Sequence, residues 1–143
     1  MPRQQTSHLQ TATNRGHMNL EDFSQHHQVE KAWGREIWLE NNPLYCAKFL
    51  VVNPGWECSL HCHNVKTETF IVLEGTMNLR TIDLEGHQQN KTLATGEKHT
   101  MFPGHYHQFS SSSKTVPVLL LEVSTQHRDA DVRRLVESRK LDA

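Results

Sequence analysis

His61 and His63 are separated by a single residue. On a β-strand alternate side chains leave the same face, so the two imidazoles point the same way. Glu68 follows after a turn and opens the next candidate strand, close enough to add a carboxylate. His107 opens another strand 39 residues further on. Three imidazoles and one carboxylate suit one divalent transition metal, zinc, manganese, cobalt, nickel or iron, better than calcium or magnesium. The spacing of Cys46, Cys58 and Cys62 excludes an all-cysteine structural zinc site. His105 lies two residues before His107 and reads as a turn residue near the pocket mouth, placed to meet a substrate. His8, His17, His26 and His27 lie in polar surroundings and read as solvated.

Four further groups could act on a molecule bound beside such a metal. Lys48 interrupts an apolar strand, and Glu122 closes the run Val118–Leu121. An unpaired charge in a core is costly. Each therefore faces a polar pocket or reaches out to water along its stem, and the pattern leaves both readings open. Lys66 lies in the turn between His63 and Glu68, as a solvated turn residue or as a proton carrier. Arg134 is a tail charge or a phosphate ligand. Trp33, Trp38 and Trp56 are expected to fill core and interface more than to stack on a ring.

These residues must be positioned by a chain of 143 residues, the length of one ordinary domain. The net charge of -1 with neutral histidines predicts no nucleic-acid or membrane partner. No helix-turn-helix pattern is present, and no run approaches the roughly 18 apolar residues needed to span a bilayer. An odd cysteine count and the lack of an apolar run in Met1–Gln10 predict reduced thiols and a cytoplasmic location. If Cys58 and Cys62 share a strand they lie about 13 Å apart, too far for a disulfide.

Residues 1–28 are polar and read as a disordered tail, with a short ordered piece around Leu20–Phe23. The domain then covers residues 29–143. Short apolar runs alternate with turn signals such as Asn53-Pro54-Gly55, Glu74-Gly75 and Pro103-Gly104, the pattern of an all-β sandwich or barrel. Candidate strands are Glu36–Leu39, Tyr45–Val52, Glu57–His63, Thr69–Leu73, Met77–Asp83, Lys98–Phe102, His107–Ser110 and Val116–Val123. Val132, Leu135 and Val136 stand at helical spacing in Asp129–Leu141, which predicts a short C-terminal helix. Thr69–Leu73 is apolar on both faces. One face can fill a barrel; the other needs a second sheet or a second subunit, so a homodimer is expected.

The segment Gly55-x5-His61-x-His63-x4-Glu68-x6-Gly75 resembles the first signature motif of the cupin superfamily at every position. Gly96-x5-Phe102-x-Gly104-x2-His107 resembles the second motif in spacing, with Phe102 where the family usually has proline and Ser111 where it often has asparagine. The resemblance covers roughly residues 29–125. It implies a jelly roll of two antiparallel sheets with a metal inside, held by His61, His63, Glu68 and His107.

Lys31-Ala32-Trp33-Gly34-Arg35-Glu36 is similar to the opening segment of the cupin domain of type II mannose-6-phosphate isomerases. The similarity continues through Tyr45, Lys48, Pro54-Gly55, Ser59-Leu60, Glu122-Val123 and Asp131-Val132-Arg133-Arg134. That family usually carries glutamine at the position of His61. The pattern His61-x-His63-x2-Lys66-x-Glu68 also resembles D-lyxose isomerases. The resemblance implies an isomerase for a sugar or sugar phosphate, with Lys48, Lys66 or Glu122 moving the proton and Arg134 and His105 binding the substrate. The alternatives are a non-haem iron dioxygenase and a non-catalytic sugar-binding cupin, since one fold hosts many chemistries.

Overall fold

Frequent turns cut the chain into short strands, and the computed structural model, which describes residues 18–142, pairs all of them antiparallel. The strands are β1 (His27–Lys31), β2 (Gly34–Asn41), β3 (Cys46–Val52), β4 (Trp56–Glu57), β5 (Leu60–Cys62), β6 (Glu68–Glu74) and β7 (Thr76–Ile82). They continue as β8 (Gln88–Ala94), β9 (Lys98–Met101), β10 (Tyr106–Ser111), β11 (Val118–Ser124), β12 (Arg133–Val136) and β13 (Arg139–Lys140). One sheet runs β1-β2-β3-β11-β6-β9. The other runs β12-β5-β10-β4-β13, with β7 also on β10 and β8 on β7. Among the described residues no helix is long and apolar enough to cross a membrane.

The inner faces of the two sheets meet over Leu50, Val52, Phe70, Val72, Leu79, Phe109, Val118 and Leu120. Strand parity decides which residues take part. On β3 the buried set Cys46, Lys48, Leu50 and Val52 alternates inward, and on β11 Val118, Leu120, Glu122 and Ser124 do the same. Each strand is therefore apolar toward one end of the interior and ionisable toward the other. Register aligns the ionisable ends: Glu122 pairs with Lys48 on one side and Phe70 on the other, and Ser124 pairs with Glu68. Gly34 permits the close crossing of β2 and β3. Its φ is 151°, and a Cβ there would stand 1.8 Å from the Val51 carbonyl oxygen.

The C-terminal segment forms no helix. Arg133–Val136 instead pairs with β5, and Arg139–Lys140 with β4. A short helix is marginal without a face to bury, whereas the β4 and β5 edges offer unpaired backbone groups. The helical spacing of Val132, Leu135 and Val136 is incidental, since Leu135 and Val136 remain exposed. Strand β8 escaped the apolar pattern because six of its seven residues face solvent.

The folded chain also begins earlier than its composition predicts. Of the stretch read as a disordered tail, residues 1–17 lie outside the described residues, but Met18–Gln28 is folded. It includes a one-turn 3₁₀ helix over Leu20–Phe23, capped by the Asn19 side chain. Met18, Leu20 and Phe23 pack against Ile37, Phe49 and Leu119 on the outer face of the first sheet. The cover that this apolar face demands thus comes in part from the chain itself. The Phe23 ring stands edge-on to Phe49 with centroids 4.9 Å apart. We expect Phe23→Ala to lower stability by about 2 kcal/mol, since the ring is only partly buried. That is a fall of roughly 5–10 °C in thermal midpoint by calorimetry; an unchanged midpoint would show that the contact holds nothing.

Candidate metal centre

His61 and His107 are direct partners across β5 and β10, so their side chains share a face. Their ring centroids are 4.3 Å apart. His63, one residue beyond β5, brings a third ring to 5.2 Å from His61 and 5.6 Å from His107. The ligand atoms of the three lie within 4.8 Å of one another. Glu68, the first residue of β6 on the facing sheet, places Oε2 at 2.9 Å from His63 Nε2 and 3.4 Å from His107 Nε2.

Backbone carbonyls orient the rings. His61 Nδ1 donates to Ser59 O at 2.9 Å, His63 Nδ1 to Asp131 O at 2.6 Å, and His107 Nδ1 to His105 O at 3.3 Å. Each bond leaves Nε2 as an unprotonated donor pointing inward, as metal-binding histidines are held. Glu68 Oε2 and His107 Nε2 are buried without a hydrogen-bond partner. Burial and the neighbouring imidazoles push His61 and His107 down to about 3. Burial opposes the Glu68 charge, but the His63 imidazole and Lys66 ammonium more than offset this and hold the carboxyl at about 2. His61, His107 and Glu68 are therefore deprotonated at neutral pH, the form that a metal takes. The three histidines can hold a metal ion, and the Glu68 carboxylate lies beside two of them.

A cavity of about 390 Å³ extends from this cluster, walled by Trp33, Lys48, Lys66, Glu122, His127 and Arg134 among others. Both lysines face inward. Lys66 Nζ lies 3.5 Å from Glu122 Oε2 and 3.8 Å from Glu68 Oε1. Burial disfavours its ammonium, but the two carboxylates outweigh this and raise its pKa, so it is a cation. Lys48, 1% exposed, lies 3.6 Å from Glu36 Oε1 and 4.1 Å above the centre of the Trp38 ring. Arg134 reaches the cavity because β12 pairs it with His61.

His127 joins the site without any signal in the sequence. Its Nδ1 accepts from Lys48 Nζ at 3.1 Å and stands 3.4 Å from Lys66 Nζ, while Nε2 donates to Asp129 at 2.9 Å. Burial and then the Lys48 charge lower its pKa, which keeps the ring neutral and able to bridge two ammonium groups. A lone histidine in a polar loop carries no spacing signal. Only the clamp from Asn41, whose side chain bonds both the N–H and the carbonyl of His127, brings it here.

His105 is not on the cavity wall. Its ring faces Phe102 with centroids 6.2 Å apart, and only its carbonyl serves the site, by holding His107. A substrate contact for its side chain is thus not supported; the turn at Gly104 sends alternate residues to opposite faces. Trp33 and Trp56 pack with the core, Trp33 also forming cavity wall. A wider depression of about 520 Å³ around Asn78, Arg80 and Lys91 includes none of the histidines.

Two outcomes follow from this geometry. Replacing both His61 and His107 with alanine should abolish stoichiometric zinc or manganese by elemental analysis, whereas His87→Ala, at an exposed side chain, should not. A double variant that keeps one metal per chain rules the cluster out. In the metal-free protein, stability should fall as pH drops from about 6.5 towards 3. The unfolded chain takes up protons on His61 and His107 near 6.5 that the folded chain refuses until about 3. Denaturation midpoints at pH 7 and pH 4 check this; equal values contradict it.

Residues 18–137 match the family described as mannose-6-phosphate isomerase C-terminal. Mannose-1-phosphate guanylyltransferase 2 of Escherichia coli O157:H7 is 26% identical over 104 residues, which are 73% of this chain and 20% of that protein. The chain thus spans about a fifth of that relative's length. Oxalate decarboxylase from Bacillus subtilis at pH 4.6 superposes with a TM-score of 0.70 at 16% identity, covering 79% of this chain and 31% of that one. A second structure of that enzyme, solved in a study of its Mn(II) centres, gives a TM-score of 0.69 at the same identity and coverage. Likeness at that identity is a likeness of fold, and the fold is the cupin jelly roll. With 120 of its residues matched from Met18 to Glu137, the chain belongs to the mannose-6-phosphate isomerase C-terminal family of cupins.

Proposed function

We propose that the protein is a metal-dependent isomerase that interconverts an aldose and a ketose, as free sugar or sugar phosphate. The observation that carries this reading is the buried Lys66–Glu122 pair, 3.5 Å apart, in the same cavity as the histidine triad. Such an isomerisation moves a proton between neighbouring carbons while negative charge passes between two adjacent oxygens. A divalent ion held by His61, His63, Glu68 and His107 would supply Lewis-acid polarisation of those oxygens.

The remaining work falls to the chain itself. Glu122 is the base that takes the proton from the carbon beside the carbonyl and returns it to its neighbour. Lys66, kept cationic by Glu122 and Glu68, stabilises the developing oxyanion by charge and hydrogen bonding. Lys48, fixed by Glu36, His127 and the Trp38 face, presents a second ammonium to a hydroxyl. Arg134, on the cavity wall beside His61, is placed for a distal hydroxyl or phosphate. The dense ionisable lining of Lys48, Lys66, Glu36 and Glu122 favours a polyhydroxylated substrate over the apolar substrates expected of an iron dioxygenase.

Turnover of aldoses, ketoses and their phosphates in deuterated water, followed by NMR, tests the reading. Solvent deuterium should enter at the carbon next to the carbonyl. Glu122→Gln and Lys66→Met should each lower turnover by about 10²–10⁴-fold with metal content unchanged. Full activity in both variants removes Glu122 as the base and Lys66 as the oxyanion stabiliser. If no aldose–ketose pair is interconverted by the metal-loaded wild type, the isomerase reading fails.

A further inference from the structure

Asp131 supplies no metal donor, yet it is bonded throughout the loop that does. Its carbonyl oxygen accepts from His63 Nδ1 at 2.6 Å, across 68 residues of sequence. Its carboxylate accepts from three successive backbone N–H groups: Oδ1 from Asn64 at 2.7 Å and Val65 at 3.1 Å, and Oδ2 from Lys66 at 3.0 Å. One residue therefore fixes both the rotation of the His63 ring and the path of the turn from His63 to Glu68. A cradle of consecutive N–H groups is a strong seat for an anion.

The segment that carries Asp131 is otherwise held lightly. Every residue of Arg133–Val136 is exposed, Leu135 by 59% and Val136 by 45%. Beyond Asp131, its hold on the barrel is polar and backbone-mediated: the bond from His127 to Asp129, the Arg133 guanidinium over the Tyr106 ring, and a ladder to β5 in which Arg133 pairs with Cys62 and Arg134 with His61, interrupted by a bulge before Val136. Val132 and Arg134 nevertheless form part of the cavity wall. A strap with so little buried apolar area belongs to the low-stability end of a structure, and a modest added free energy can decide whether it is docked.

We propose that Asp131 is a positioning residue for His63, and that through it metal binding and docking of the C-terminal strap, Asp129 to Val136, stabilise each other. With a metal held by His63, the ring would be fixed and its Nδ1–H bond to the Asp131 carbonyl strengthened. A docked strap in turn presents His63 ready oriented. Such coupling is reciprocal by thermodynamic necessity. Metal at the centre would therefore favour the docked strap, which carries Val132 and Arg134 of the cavity wall. The inference rests on His63 as a metal ligand and is independent of the isomerase reading.

The test uses the full chain and Zn(II) alone, in two measurements. In the wild type, saturating Zn(II) should slow tryptic cleavage after Arg133 and Arg134 by at least about fivefold. Asp131→Ala should weaken Zn(II) binding by about 10–100-fold, measured by competition with a chromophoric chelator, and should lose most of the Zn(II)-dependent protection even when saturated. Asp131→Asn keeps one acceptor oxygen for the cradle and should fall between; it replaces Asp131→Ala if that variant does not fold by circular dichroism. Zn(II) affinity within about twofold of wild type in the folded variants, or wild-type cleavage indifferent to Zn(II), overturns the coupling. Failure of the wild type to bind Zn(II) at all removes instead the assignment of the centre.

Discussion

Ionisable side chains buried inside a β-barrel set the terms for the rest of this structure. Lys48, Lys66, Glu68 and Glu122 are each nearly inaccessible to water, and an isolated charge in such a place is prohibitively unfavourable. The interior resolves this by pairing: Lys66 with Glu122 and Glu68, Lys48 with Glu36, and His127 between the two ammonium groups. At the end of this network the Glu68 carboxylate faces the His63 and His107 rings, and imidazole and carboxylate donors of that kind can seat a divalent cation. Well-packed apolar residues would serve stability as well or better, so the charged set has a use in chemistry that folding does not require.

The fold makes this arrangement by simple means. Inward positions on β3, β6 and β11 run from apolar to ionisable along each strand, and antiparallel register brings the ionisable ends together. The core of Leu50, Val52, Phe70, Val72, Val118 and Leu120 then acts as a rigid floor beneath the site. Backbone carbonyls of Ser59, Asp131 and His105 set the rings. Precision at the centre comes from main-chain atoms of three separate segments, so it survives changes in many side chains but not changes in the path of those segments.

Relatives of the same fold show how little the barrel itself specifies. Solved neighbours include an oxalate decarboxylase at 16% identity, and a curated relative is a guanylyltransferase of which this chain spans a fifth. In this chain the wall beyond the histidines is Lys66 with Glu122, Lys48 with His127, and Arg134 on a C-terminal strap. The outer face of the first sheet is equally particular, since Met18, Leu20 and Phe23 from the N-terminal segment lie on it.

Spacing alone made the centre of this protein legible. His61 and His63 share a face by strand parity, the Gly55-to-Gly75 interval marks the motif, and eight strands of the barrel stand out as apolar runs between turns. These are local properties, and local sequence carries them. Lys48 and Glu122 were ambiguous, because a strand residue faces in or out according to a register that only the paired strands define. Strand β8 and the C-terminal strap were illegible because their backbone groups, not their side chains, hold them in place; helical spacing in Val132–Val136 has no force against an open sheet edge. His127, Asp131 and the packing of Met18–Phe23 depend on contacts across tens of residues, such as the 68 between His63 and Asp131. Partners that distant meet only once the barrel closes, and so the clustered histidines could be read from the sequence while the groups that orient them could not.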